Sequence, residues 1–175
     1  MASLTAEQRK ITEETYKDFI ESGAHLDDAA KARMREINEA FSLITLRFED
    51  NLQKEKETYA MVIDKQEDLA GLPPAVIEAA KETAEARGLT GKWAFTLDRP
   101  SFTPFLQYSE KRELRQKILM AYTLRGNNGN ELDNKENIKK ILALRAEKAK
   151  LLGFDTYADY AMDRRMAKTP KRAMD

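Results

Sequence analysis

Cysteine is absent from this chain, and histidine and tryptophan occur once each. Without a thiol there is no disulfide, no thiolate zinc site, no redox pair and no cysteine nucleophile. The lone histidine, His25, is followed by Leu26, and no second imidazole or thiolate exists to share a metal ion with it. Freedom from cysteine accords with a reducing cytoplasm and with a periplasm alike, so the compartment stays open between the two. A charge excess of either sign is also missing. Thirty Lys and Arg cancel thirty Asp and Glu, and the two signs alternate along stretches such as SEKRELRQK and RAEKAK, which disfavours nucleic-acid binding. No uncharged stretch approaches the ~20 apolar residues of a membrane span. MASLTAEQRK has neither the basic start nor the apolar middle of a secretory signal. The Met1-Ala2-Ser3 opening looks like an introduced start, which would leave any targeting segment outside the sequence.

What is present is a chain of 175 residues, 42% hydrophobic and 34% charged, the profile of a helical protein large enough for one core or two small ones. At that length folding buries roughly 70% of the unfolded surface, so neither a disulfide nor a metal is needed for stability. Seven Gly and five Pro are few enough that their positions punctuate the chain. Thr5-Ala-Glu-Gln8 fits a capping box, apolar residues follow at helical spacing, and Gly23 supplies a left-handed stop, predicting a helix over about Ala6 to Ser22. A second, longer helix begins at Leu26-Asp27-Asp28. Its apolar positions Met34, Ile37, Phe41, Ile44 and Phe48 step by three and four to about Lys56, and the extra Leu43 and Leu46 predict burial on more than one side.

At Thr58 to Asp64 and again at Lys92 to Asp98 the residues become β-branched and aromatic, predicting two paired strands in either sense. In the second, the two-residue period puts Trp93, Phe95 and Leu97 on the face that packs against helices, with Ala94 and Thr96 pointing elsewhere. Between the strands Pro73-Pro74 opens a helix and Arg87-Gly88 ends it. Thr103-Pro104 predicts a short helix, Ser109 caps a longer one, Gly126 to Asn130 is a polar turn, and Asp133-Asn-Lys-Glu136 opens a helix closed by Gly153. Thr156 caps another running to about Ala167, and Thr169-Pro170 has the form of one more start. No internal repeat is present. The predicted fold is mainly α, a multi-helix array with a small two-stranded β element at about 58–64 and 92–98. The predicted organisation is a single helical domain over 1–175, with sub-parts 1–57 (helical hairpin), 58–104 (strand, helix, strand) and 105–175 (helices).

Five ordered segments resemble one family. Phe19-Ile-Glu-Ser-Gly-Ala24, Asp68-Leu-Ala-Gly-Leu-Pro73, Trp93 to Pro104, Leu144 to Phe154, and Tyr157 to Pro170 with its Met-Ala-Lys-Thr-Pro ending are similar, in order and spacing, to an internal stretch of the thimet oligopeptidase, oligopeptidase A and peptidyl-dipeptidase family. The Arg125 to Gly129 turn favours the bacterial peptidyl-dipeptidase branch. The resemblance implies a zinc-dependent parent enzyme that hydrolyses short unstructured peptides, its metal held by the two histidines of an H-E-x-x-H helix and a distant glutamate, with the glutamate of that motif as general base on the bound water. None of those residues lies here. The implication is a truncated, non-catalytic segment from the helical part that walls the substrate channel, with no catalytic and no metal residue of its own, inactive until joined to a missing catalytic domain. The alternative is a stand-alone helical protein-interaction domain.

The remaining candidates each have a plainer structural reading beside the functional one. His25 reads as a solvated loop residue. Trp93, Phe95, Phe102 and Phe105 form either a peptide-binding aromatic patch or, as their spacing favours, packing around the small sheet. Tyr157 and Tyr160 are the candidates for substrate contact in the channel. Glu13-Glu14, Asp27-Asp28 and Glu67-Asp68 are adjacent pairs whose side chains diverge by about 100 degrees on a helix and do not converge on a metal; they read as surface, cap and turn residues. Arg125, Arg145 and Arg164 lie in apolar surroundings and predict ion pairs with carboxylates on neighbouring helices. Cutting the array after Thr169-Pro170 predicts bared apolar side chains, Met162 and Met166 among them.

Overall fold

A computed structural model describes residues 4–175, so the Met1-Ala2-Ser3 opening lies outside the described residues. The order is α1 (Ala6–Glu21), α2 (Asp28–Thr58), β1 (Met61–Ile63), a 3-10 turn (Gln66–Leu69), α3 (Pro74–Ala86), β2 (Trp93–Phe95), α4 (Arg99–Tyr108), α5 (Arg112–Thr123), α6 (Lys135–Leu151), α7 (Tyr157–Met162) and α8 (Pro170–Met174). The mainly α class with one two-stranded sheet is therefore as predicted. The strands are shorter than expected: Thr58 is the last residue of α2, and pairing is confined to Met61↔Phe95, Val62↔Ala94 and Ile63↔Trp93, antiparallel. No described helix is long and apolar enough to cross a membrane.

The chain divides into two compact units, one of Arg47–Glu136 and one of the residues up to Leu46 with Asn137–Asp175. The division falls within α2 and close to the start of α6.

The Arg47–Glu136 unit is built on aromatic and aliphatic side chains from β1, β2, α3, α4 and α5. Met61, Ile63, Leu72, Ala80, Phe95, Leu97, Phe105 and Ile118 are buried together. Phe95 meets Phe105 edge to face at 4.6 Å between ring centres, and Phe102 stacks on Tyr122 at 4.3 Å; such pairs add to the area they bury. The aromatic residues are thus core, with Trp93 partly buried at its edge. The expected two-sided strand is corrected: Ala94 and Thr96 are buried as well as Phe95 and Leu97, because α3 packs against β2 and encloses the second face.

Two helix starts also differ from expectation. Residue Asp98 is the N-cap of α4, so Pro100 takes the first-turn position and Pro104 lies inside the helix. Residue Ser109 closes α4 rather than opening α5, and its hydroxyl accepts the Lys111 N–H at 3.2 Å as the chain turns. The preceding turn docks on this corner. Glu110 N–H donates to the Ala70 carbonyl at 2.9 Å, and Gly71, at φ +85, lies where a Cβ would come within 2.3 Å of the Tyr108 carbonyl. Only glycine fits there.

A polar seam joins α2 to the loop before α6. Glu55 is buried at 8% exposure and accepts from the Gly126 N–H at 2.5 Å and from the Asn128 side-chain amide. One turn back, Asn51 donates to Asn134 at 3.0 Å, and Asn134 donates to the Phe48 carbonyl at 3.0 Å. Gly126, at φ +71, sits 3.1 Å or more from Leu52 and Asn134 at its missing Cβ. A buried acceptor is tolerated only when donors reach it, and here the donors come from a loop some seventy residues away. Replacing Glu55 by Ala strands the Gly126 and Asn128 donors, so we expect a loss of about 2–3 kcal/mol in urea unfolding, with faster hydrogen exchange at the Gly126 amide. An unchanged midpoint would show that the loop is held by its other contacts.

Candidate functional site

The other unit holds the residues singled out for substrate contact. The first turn of α1 carries the expected capping box: Gln8 N–H donates to Thr5 Oγ1 at 3.2 Å, and Thr5 N–H to Gln8 Oε1 at 3.0 Å. Asp27 caps α2, accepting the Ala30 N–H at 2.8 Å. Met34 and Ile37 of α2 and Ala149 and Leu152 at the end of α6 are buried. Leu43 and Leu46 are 63% and 57% exposed, correcting the expectation that α2 is covered on more than one side there. Arg33 of α2 grips Glu147 of α6 with two hydrogen bonds, 2.6 and 2.9 Å, and this holds the Glu147 carboxyl below its ordinary range.

Helix α7 carries Tyr157 and Tyr160. Thr156 caps it through a second capping box with Asp159, as the sequence indicates, but the helix ends at Met162 and not near Ala167. Lys168 adopts a left-handed conformation, φ 64, before Thr169 opens α8 by accepting the Arg172 N–H. Met166 is 94% exposed and Met162 half-buried. Tyr160 packs edge to face on Phe154 at 5.5 Å and tilts against Tyr157 at 5.6 Å. Burial, then the nearby Glu21 carboxylate and Tyr157, raise the Tyr160 phenol above its usual value.

The three arginines expected in ion pairs behave in two ways. Arg164 is held by Glu14 and Asp18, with Glu21 at 3.5 Å. The three carboxylates lie at i, i+4 and i+7 of α1 and so share one face. Glu14, read from the sequence as plain surface, is a principal partner in this grip, and that spacing was the signal that could have found it. Arg145 and Arg125 are corrections. The Arg145 guanidinium lies over the Phe41 ring at 5.6 Å and the Tyr157 ring at 5.1 Å, and its buried Nε has no hydrogen-bond partner. Arg125 covers the Tyr122 ring at 3.8 Å and donates to the Tyr122 carbonyl at 2.9 Å. Aromatic faces replace the carboxylates because they offer a cation attraction without a second buried charge.

Two cavities share Tyr157 and Tyr160. The inner one, about 80 Å³, is walled by Phe41, Arg145, Lys148 and Asn38 among others. The outer one, about 480 Å³, is bordered by Glu21, Arg164 and Arg165. Lys148 donates to Asn38 at 3.1 Å. Neither cavity offers metal chemistry. His25 is exposed in the turn after α1, the acidic face of α1 is occupied by Arg164, and among the described residues no three His, Cys, Asp or Glu side chains are placed to hold a metal ion. The donor set therefore does not fit a hydrolytic zinc.

Residues 105–175 match the model of Peptidase family M3. Across nearly all its length the chain is 35% identical to oligopeptidase A of Haemophilus influenzae, covering 99% of this chain and 26% of that protein. It is 32% identical to the organellar oligopeptidase A of Arabidopsis thaliana over 98% of this chain and 22% of that protein. It is 30% identical to dipeptidyl carboxypeptidase of Escherichia coli over 98% of this chain and 25% of that protein. The chain thus spans about a quarter of the length of the curated relatives it matches.

The grip of α1 on Arg164 has a pH signature. Hydrogen bonds from Lys10 and then Arg164 hold the Glu14 carboxyl at about 2, against an ordinary 4.5. A carboxyl depressed by folding stabilises the folded state above its unfolded value, and that contribution declines as pH falls from 4.5 toward 2. We expect Tm to drop across this window in the natural sequence and to drop less in Arg164→Gln. Parallel profiles for the two proteins would show that the Arg164 contact contributes nothing to folding.

Proposed function

We propose, on the premise that this chain belongs to the thimet oligopeptidase, oligopeptidase A and peptidyl-dipeptidase family, that it is the helical, non-catalytic portion of a zinc-dependent oligopeptidase acting on short unstructured peptides. The observation that carries this reading is the pairing of two facts: collinear similarity to oligopeptidase A over 99% of the chain, and a donor set that cannot hold the family's metal. In the whole enzyme the zinc would be held by residues of a catalytic portion, and it would supply an activated water. This portion contributes walls. Its helices carry aromatic and cationic side chains on a cleft-lining face, with Tyr157 and Tyr160 in contact with the peptide, and they limit entry to chains narrow enough to thread between them.

The exposed apolar residues of the same unit agree with a surface that a larger protein covers. Ile138 and Leu142 lie one turn apart on α6 at 44% and 57% exposure, and Leu43 and Leu46 are open on α2. The same surfaces would serve the competing reading, an independent helical interaction domain. Reading the coding sequence past Asp175 separates them, because continuation into an H-E-x-x-H helix supports the peptidase and a stop codon supports the interaction domain.

The biochemical test is direct. The 175-residue protein should show no hydrolysis of a quenched-fluorescence peptide of five to fifteen residues, with or without added zinc, whereas a longer protein containing it and the metal-binding helix should cleave that peptide in a chelator-sensitive manner. Sustained zinc-dependent turnover by the 175-residue protein overturns the assignment.

A further inference from the structure

The loop that the polar seam holds against α2 carries a reactive dipeptide. Asn128 is followed by Gly129, and no other asparagine in the chain has glycine after it. The main-chain nitrogen of a following residue can attack an asparagine side chain when that residue leaves room, and glycine leaves the most because it has no Cβ and few barred backbone angles. At Gly129, φ +66, the space where a Cβ would stand is open, with no atom within 4 Å. Residues 127–130 are exposed, so water reaches the ring that forms. The other exposed asparagines of this loop lack the combination. Asn127 precedes Asn128, and its side-chain carbonyl accepts from Lys135 at 2.8 Å. Asn130 precedes Glu131, and its carbonyl accepts the Leu132 N–H at 3.0 Å. The remaining asparagines are buried or lie inside α2 and α6, where a helical main chain keeps the next nitrogen away from the side-chain carbon.

We propose that Asn128 is a modification site whose spontaneous deamidation unlatches the polar seam. The Gly129 nitrogen gives up its proton and bonds to Asn128 Cγ, the bond from Cγ to Nδ2 breaks, and that nitrogen leaves with the proton as ammonia. Water then opens the cyclic imide at either carbonyl, leaving aspartate or isoaspartate, and is the only co-reactant. The folded loop sets the pace. Gly129 N–H donates to Asp133 Oδ2 at 2.8 Å and must let go before it attacks, an opening of exposed loop structure that costs little. What the change does depends on where the side chain sits. The Asn128 amide donates to Glu55, whose other oxygen takes the Gly126 N–H. After deamidation a second carboxylate stands where the amide stood, so buried Glu55 loses a donor and meets like charge at the same point. Isoaspartate also lengthens the main chain by one carbon and shifts Gly129 away from Asp133. An aged molecule thus carries a loosened loop between α5 and α6, whatever the intact protein hydrolyses.

The natural 175-residue protein is held for weeks in warm, mildly alkaline water enriched in oxygen-18, beside a synthetic peptide of residues 124–134. Both are then digested in ordinary water, so that conversion during digestion carries no label, and mapped by mass spectrometry. In the folded protein Asn128 should convert before any other asparagine, with one heavy oxygen per event and a mixture of aspartate and isoaspartate, and more slowly than in the peptide. Equal conversion of Asn127 or Asn130, or an intact Asn128 after the peptide has fully reacted, overturns the modification site. The effect on the seam is read separately. Asn128→Asp should lower the urea midpoint and speed exchange of the Gly126 amide about tenfold. Adding Glu55→Gln should recover most of both losses, because the introduced amide donates to the new carboxylate. An Asn128→Asp protein as stable as the natural one, or one that Glu55→Gln does not rescue, overturns the unlatching. If Asn128→Asp alone does not fold, rescue by Glu55→Gln decides.

Discussion

The requirement that a buried acceptor find its donors governs the Arg47–Glu136 unit. Glu55 sits inside at 8% exposure and is satisfied by the Gly126 backbone and the Asn128 amide, with the Asn51 to Asn134 bond one turn away. Because hydrogen bonds demand distance and angle together, this seam specifies where the Gly126 to Asn134 loop lies along α2 more sharply than apolar contact could. Hydrophobic burial supplies the drive, through Phe95, Phe105, Ile118 and their neighbours. The seam adds direction, and Gly126, at φ +71, takes a left-handed conformation that a side chain would strain.

Charge is handled differently in the other unit. Arg33 with Glu147, and Arg164 with the α1 carboxylates, are exposed or half-exposed pairs, of the kind that individually adds little to stability. Arg164 gains from company, since three carboxylates on one helical face share it. Arg145 has no such company. It lies over two rings, and its buried Nε has no hydrogen-bond partner. That contrast, one arginine saturated and another unsatisfied within the same helical unit, gives the tyrosine-bearing cavities chemical content beyond their shape.

Much of the helical order was legible because its signals are local. Thr5 with Gln8 and Thr156 with Asp159 form their capping boxes in the folded chain, and the glycines after α1, α3 and α6 adopt positive φ. Failures occur where a local signal has two meanings. Ser109 can cap a helix or close one, and the docking of the Ala70 to Leu72 turn on α4 decided for closure. Pro104 signals a first turn but lies inside a helix that Asp98 had already begun, where it forgoes a backbone hydrogen bond. Alternation in β2 suggested one buried face, but α3 covers the other, which no two-residue period can announce. The site was visible only in part. Tyr157 and Tyr160 stood out as aromatic residues on one helix and Arg145 as a cation in apolar surroundings, but its partners are rings and not the expected carboxylate, and Lys148 looked like an ordinary member of a charged helix.

By itself the sequence determined the helical class, the two short extended segments, the exclusion of thiol and multi-histidine metal chemistry, and the kinship carried by five ordered segments, because composition, capping and periodicity act over a few residues. Tertiary structure alone decided which carboxylates meet Arg164, that Arg145 meets rings in place of an acid, that Glu55 is buried and satisfied, and that two cavities share a pair of tyrosines. Those outcomes depend on residues separated by up to 150 positions, and the geometry that brings them together is a property of the packed chain.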